Sequence, residues 1–128
     1  MVKIDEIMTV LKGLPKDVLL SSYGNENGLG SLCDPSGYTL EKAAATFNLE
    51  RIEKALQEIP EIFKMTRNFS NSTSYGFKHV LEHVPGNKYI SNGDFIVATI
   101  LSGFTCKFKN SVNCVLNCKI IEKKNKII

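Results

Sequence analysis

The sequence predicts an α+β domain, mainly α, closed by a C-terminal β-hairpin. Three observations carry this prediction. Apolar residues recur at helical spacing through most of the first hundred or so positions. The stretch from Cys106 to Ile121, CKFK and then NCVLNCKII, alternates instead with a period of two. The chain's 128 residues are 43% hydrophobic and 23% charged, a balance that suits one globular domain with a core of its own.

Ile4, Ile7, Met8 and Leu11 predict a short amphipathic helix over 3–12, ended by Gly13. Pro15 suits the first position of a second short helix reaching Leu20. Residues 21–37, SSYGNENGLGSLCDPSG, read as a loop, because their glycines, asparagines and proline hold no regular element. Those glycines match neither G-x-x-x-x-G-K-[ST] nor G-x-G-x-x-G, so no phosphate cradle is expected there. Thr39 is placed as the N-cap of a helix with Leu40, Ala43, Ala44 and Phe47 on one side. Asn48 caps the next helix, which carries Leu49, Ile52, Leu56 and Ile59. Pro60 is expected to break or restart it, leaving a third short piece over 61–65. The run LEKAAATFNLERIEKAL invites a DNA-reading helix-turn-helix. Polar Lys54 and Gln57 fall where its second helix must be buried, so it reads as an ordinary pair of core helices. Residues 66–73, TRNFSNST, form a polar connection.

Thr73 or Ser74 then caps a helix whose apolar side takes Tyr75, Phe77, Val80, Leu81 and Val84. Pro85, Gly86 and Asn87 stop it. Ser91 or Asn92 caps the following helix, with Asp94 near its positive end. Phe95, Ile96, Ala98, Thr99, Ile100 and Leu101 make that helix apolar nearly all round, so it is expected to be buried, and Gly103 ends it. The two strands come next, with Asn110 and Ser111 as their turn. Cys114, Leu116, Cys118 and Ile120 share one face; Val115, Asn117, Lys119 and Ile121 share the other. The expected organisation is a single domain over 1–128. It has a helical part over 1–65, a helix-turn-helix with hairpin over 74–121 and a basic tail over 122–128.

Charge is unevenly distributed. The chain carries +3, but residues 105–128 hold six lysines against Glu122 alone, which is +5 and leaves −2 over 1–104. Two helices followed by a basic hairpin have the outline of a winged helix, in which a helix enters the major groove and the hairpin meets phosphates. That order predicts a non-enzymatic nucleic-acid-binding module. The second helix offers only Thr99 and Ser102 to a base edge. Contacts to DNA or RNA are therefore assigned to Lys78, His79, Lys88, Asn92 and the hairpin lysines Lys107, Lys109 and Lys119. Such binding is phosphate-dominated, weakly sequence-specific and salt-sensitive. The competing reading is a protein-interaction or structural module whose terminal hairpin edge pairs with a partner strand or a second copy. A solvated, lysine-protected edge strand with a frayed tail is the plainest account of the same charges.

His79, Glu82 and His83 match H-x-x-E-H, a zinc-hydrolase pattern in which two histidines share a helix face and the glutamate acts as base. The chain has no third histidine, and Glu122, the acid far downstream, lies in the lysine tail. No catalytic residue, metal or other cofactor is assigned. A surface ion pair of Lys78 with Glu82 at i, i+4 spacing is the plain account of the run, and a buried His79 fixing the turn is a third. Cys33, Cys106, Cys114 and Cys118 read as reduced thiols acting as small hydrophobes. In a strand Cys114 and Cys118 lie about 13 Å apart, too far for one zinc ion. No apolar run reaches the roughly 18 residues of a membrane helix. The start, MVKIDEIMTVLKG, is not that of a secretory signal. An intracellular protein without membrane contact is expected.

The pattern S-Y-G-x-K-H-x-x-E is formed by Ser74, Tyr75, Gly76, Lys78, His79 and Glu82. It continues as Y-I-S-N-G-x-F-I from Tyr89 to Ile96, as G-F at Gly103 and Phe104, and as N-x-x-x-N at Asn113 and Asn117. In these residues the chain resembles small uncharacterised proteins of large DNA viruses and some phages. The resemblance covers residues 63–121, with Phe77 standing where an aliphatic residue is expected. It implies a viral or virus-derived origin, and so the cytoplasm or nucleus of a host cell. It carries over no activity and no site residue.

Overall fold

The computed structural model describes residues 1–15, 18, 20–22, 24–25, 38–84, 86–108 and 113–121. Among them the order is α1 (Ile4–Lys12), β1 (Leu20–Ser21), β2 (Gly24–Asn25), α2 (Tyr38–Ala45), α3 (Leu49–Ile62), β3 (Phe63–Met65), α4 (Ser74–Glu82), α5 (Asn92–Leu101), β4 (Cys106–Phe108), β5 (Cys114–Leu116) and β6 (Cys118–Ile120). This is a mixed α+β arrangement with short antiparallel strand pairs.

The expected helix over 3–12 is α1. Its buried stripe is Ile7, Val10 and Leu11, while Ile4 faces solvent. The Glu6 carboxylate accepts the Lys3 N–H at 3.0 Å, satisfying one donor that a helix start leaves open. The second helix expected from Pro15 to Leu20 is corrected in part. Val18 N–H donates to the Pro15 carbonyl, a single turn, and Leu20 is already in β1, buried and paired with β2. Residues 16, 17 and 19 lie outside the described residues, as does most of the expected 21–37 loop. That loop does contain a regular element at its start, the β1–β2 pair. α2 begins at Tyr38, so Thr39 sits in its first turn rather than at its cap. Asn48 does cap α3, its Oδ1 accepting the Arg51 N–H at 3.0 Å. Lys54 and Gln57 are exposed on α3, as an ordinary core helix requires.

Pro60 does not break α3. It lies two residues before the helix end at Ile62 and removes the one N–H that would bond the Leu56 carbonyl, yet the helix continues past it. The piece expected over 61–65 is therefore corrected: the helix runs to Ile62 and the chain turns directly into β3. β3 pairs antiparallel with β6 in the register Phe63 to Ile120, Lys64 to Lys119 and Met65 to Cys118.

Helix α5 lies at the centre. Every residue from Asn92 to Thr99 is buried, and α1, α3 and α4 pack around it. Apolarity on all sides leaves no face for water, so the other helices must cover it. Phe63 of β3 sets its ring edge-on to Phe77 of α4 at 5.5 Å and to Phe95 of α5 at 5.9 Å, joining three elements through aromatic contact. Ser91 caps α5 by accepting the Asp94 N–H at 3.1 Å, as expected. Gly103 closes it at φ +100°, a backbone state that strains any side chain with a Cβ.

The expected hairpin is half present. β4 pairs with β5 in the register Cys106 to Leu116, Lys107 to Val115 and Phe108 to Cys114. The expected turn at Asn110 and Ser111 lies outside the described residues. The second strand does not stay with β4: at Asn117 it changes partner and continues as β6 against β3. In a regular antiparallel strand the N–H and C=O of one residue point to the same neighbour. At Asn117 they diverge. Its N–H donates to the Thr105 carbonyl at 3.3 Å, whereas its carbonyl accepts the Thr66 N–H at 2.8 Å. Its side-chain Oδ1 accepts the Thr105 N–H at 2.7 Å, so one residue ties both strand pairs. Side-chain alternation survives the change. Cys114, Leu116 and Cys118 are buried, while Lys119 is exposed. Ile120, expected inside with them, is exposed at the end of its strand. The buried thiols behave as small hydrophobes: hydrogen bonding with Cys106, then burial, pushes Cys114 up, and burial pushes Cys118 up to about 11.

Asn117→Ala should cost about 1 kcal/mol in unfolding free energy, the net worth of one hydrogen bond. Hydrogen exchange at the Thr105 amide should speed up at the same time. Unchanged exchange there would mean the side chain does not hold the junction.

Candidate functional site

Two surfaces deserve separate treatment, the α4 block around Glu82 and the outward face of the strands. On α4 the buried stripe is Ser74, Phe77, Lys78 and Leu81, spaced i, i+3, i+4, i+7. The apolar side expected to use Tyr75 and Val80 is therefore rotated. Tyr75 is exposed and Val80 half-buried. Lys78 takes an inward position at 3% exposure, and its neighbours explain how. Its Nζ donates to Glu82 Oε2 at 3.0 Å. It also stands 4.5 Å from the ring centre of Tyr89 and 5.1 Å from that of Tyr75, so two aromatic faces share the cation. The expected surface pair is thus an enclosed one.

Glu82 Oε2 also accepts the Ile90 N–H at 3.0 Å, and Oε1 meets His79 Nδ1 at 2.8 Å. Burial alone would raise this carboxyl. The hydrogen bonds from Ile90, Lys78 and His79 outweigh burial and hold it below its ordinary value. His79 is 43% exposed rather than buried, and His83 turns its Nδ1 to the His79 carbonyl at 2.6 Å. His79 and Glu82 are occupied in fixing the chain after α4, not in facing a shared ion. Among the described residues no group of three His, Cys, Asp or Glu side chains is placed to hold a metal.

Two further anchors were not foreseen from the sequence. Arg51 of α3, almost fully buried, donates from Nε to the Tyr89 carbonyl at 3.2 Å and from Nη2 to the Lys88 carbonyl at 3.3 Å. It pins the α4–α5 connection while pairing with Glu58 at 3.3 Å. Asp94 Oδ1 accepts from Ser22 Oγ at 3.1 Å and from the Asn48 N–H at 3.2 Å. Burial nonetheless pushes its carboxyl above the ordinary value. Only the three-dimensional neighbours identify either residue, because each partner is remote in sequence.

The strands turn a cationic face to solvent. The bonds Thr66 N–H to Asn117 O and Ile121 N–H to Ile62 O flank Lys64 and Lys119. By the two-residue alternation of such ladders, Lys64 and Lys119 form the hydrogen-bonded pair between them. Their Cα atoms are then about 5.5 Å apart with side chains on one face. Both are exposed. Lys107 projects from β4 on the same outward side as Val115, and its Nζ lies 5.7 Å from the ring centre of Phe69. Arg67, also exposed, stands on the connection between β3 and α4. Among the described residues no ion pair involves Lys64, Arg67, Lys107 or Lys119.

The residues assigned to nucleic acid from the sequence thus scatter. Lys107 and Lys119 lie on the cationic strand face. Lys88 is exposed on the α4–α5 connection, His79 is half-exposed on α4, and Lys109 lies outside the described residues. Lys78 is buried, and so is Asn92, whose Nδ2 donates to Asn113 Oδ1 at 2.7 Å. Neither faces solvent. Lys64 joins the face instead, and Arg67 is exposed on the connection that follows β3. Their signal was the basic character of FKMTR, hidden by reading Phe63 to Met65 as helix.

Glu82→Gln should lower stability near neutral pH by about 3–5 kcal/mol, because it strands a buried ammonium. Glu82 is depressed in the fold. Its contribution is complete above the ordinary value of 4.5 and is lost as pH falls below it. Asp94, raised in the fold, contributes in the opposite sense, most strongly at low pH. Denaturant unfolding measured from neutral pH downward should show an acid-limb loss in the parent that Glu82→Gln lacks. Parallel curves would sink this assignment. No known family, curated protein or solved structure matches this chain.

Proposed function

We propose that the protein is a non-enzymatic nucleic-acid-binding module that meets the phosphate backbone with the outward face of its strands. Of the winged-helix outline it uses the strand half. Helix α5, the element that would read a groove, is enclosed by its neighbours. The contacting cations are Lys64, Arg67, Lys107 and Lys119.

One observation carries this reading. Lys64 and Lys119 are directly opposed across an antiparallel pair, both exposed, with no carboxylate partner among the described residues. Like charges so placed destabilise a sheet. A polyanion lying across them turns that repulsion into attraction and releases its own counterions. Lysines that only protect an edge from aggregation need no such cross-strand match. With four cations engaged, log K should fall against log salt with a slope of about −3.

The test is fluorescence anisotropy with labelled oligonucleotides over a salt series, on the parent and on Lys119→Glu. The substitution removes one cation and gives Lys64 an opposite charge. Unfolding stability should therefore rise by about 0.2–1 kcal/mol. The salt slope should become shallower by about 1.5 as two cations are lost to the ligand. Salt-independent or absent binding at low salt would refute the proposal and leave a protein-interaction module as the reading to pursue.

A further inference from the structure

Phe69 is the apolar residue of TRNFSNST, and it does not turn inward. Its side chain is 41% exposed. The backbone around it is fixed on both sides. Thr66 Oγ1 donates to the Asn68 carbonyl at 2.7 Å, Ser70 N–H donates to the Leu116 carbonyl at 2.9 Å, and Ser70 Oγ donates to the Ser72 carbonyl at 2.7 Å. Thr73 forms a bridge with Val115, so this segment lies along the edge of β5 opposite β4. Lys107 sits on β4 and Phe69 on that opposite flank, and the two approach to 5.7 Å. Their contact therefore crosses the outward face of β5 above Val115. Backbone hydrogen bonds hold the ring at the surface, with the exposed Lys107 against it and the exposed Arg67 two positions before it in the chain.

A pinned aromatic ring among cations is the combination that binds single strands: the cations follow the backbone and the ring stacks on a base. A duplex hides its base faces in the stack and offers this ring nothing. The face also lacks an exposed helix of the kind that enters a major groove, since α5 is enclosed. Val115, which faces Lys107, precedes Lys119, which faces Lys64, by four positions across the bend at Asn117. That spacing spreads the cations over up to roughly 13 Å of chain, an extended track suited to a flexible backbone.

Resting on the nucleic-acid reading above, we infer that the preferred ligand is single-stranded nucleic acid, with Phe69 as the base-stacking platform and Lys64, Arg67, Lys107 and Lys119 as the backbone track.

The experiment uses the full chain with labelled oligo(dT), oligo(U) and a mixed-sequence duplex, each of about 15 units to cover one site. Anisotropy is read over a salt series for the parent, Phe69→Ala and Phe69→Trp. Both single strands should bind more tightly than the duplex. Phe69→Ala should weaken single-strand binding by about 5- to 100-fold, the worth of one stacked base. It should leave duplex binding within about twofold and the salt slope unchanged, because it removes no charge. Phe69→Trp should restore single-strand binding. Because the ring is exposed, these variants leave the core intact, and circular dichroism verifies it. Equal affinity for duplex and single strand, or indifference to Phe69→Ala, overturns the inference while the phosphate reading stands. Failure of the parent to bind any of the three probes overturns both.

Discussion

Helix α5 has nothing to offer water, and the rest of the fold follows from that. Phe95, Ile96 and Val97 are wholly buried. At roughly 1.5–3 kcal/mol for each such side chain, three residues alone provide gross burial comparable to the ~5–15 kcal/mol net stability of a domain. That gain exists only if α1, α3 and α4 are held around the helix. The polar residues at its N-terminus do the holding. Asp94 accepts from Ser22 and from the backbone of Asn48, so one carboxylate gathers the β1–β2 turn and the start of α3 onto the start of α5. Keeping that carboxylate charged works against its own burial, which is why its carboxyl is raised.

Glu82 plays the matching role at the other end of the connection. It accepts the Ile90 N–H, two residues before α5, and holds Lys78 and His79 at the end of α4. Arg51 takes the two carbonyls just before it, at Lys88 and Tyr89. Together they fix the end of the connection, from Lys88 to Ile90. Lys78 meets Tyr89 and Glu82 meets Ile90, while Ser74 Oγ accepts the Cys114 N–H at 3.3 Å, so these contacts tie α4 to the start of α5 and to β5.

What could be read from the sequence follows the distance over which each feature is decided. Helical periodicity and caps are local, so α1, α3, α4 and α5 were legible, with Asn48, Ser91 and Gly103 at their ends. The fate of Pro60 was not, because a proline near a helix end differs little from one that breaks it until β3 finds β6. That pairing joins residues more than fifty positions apart. It converts an apparent helix remnant into a strand and brings Lys64 to the site. Lys78 misled for a related reason. A lysine reads as surface unless two tyrosines and a glutamate enclose it, and Tyr89 is eleven residues away.

The change of partner at Asn117 decides where Lys119 stands. Had the strand stayed with β4, Lys119 would project beyond a simple two-stranded edge, where isolated lysines are ordinary solvating residues. By crossing to β3 the chain sets Lys119 opposite Lys64 in register. Asn117 is suited to the change, since its side-chain amide supplies the acceptor that the diverging backbone no longer aims at Thr105. The lysine pair, by contrast, does nothing for the fold. Folding would favour an acid at either position, and a glutamate opposite a lysine is an ordinary solution in exposed strands. On the proposal made above, an anionic ligand supplies the charge that the fold leaves out of this pair, so the same two lysines that weaken the strand pairing strengthen the binding.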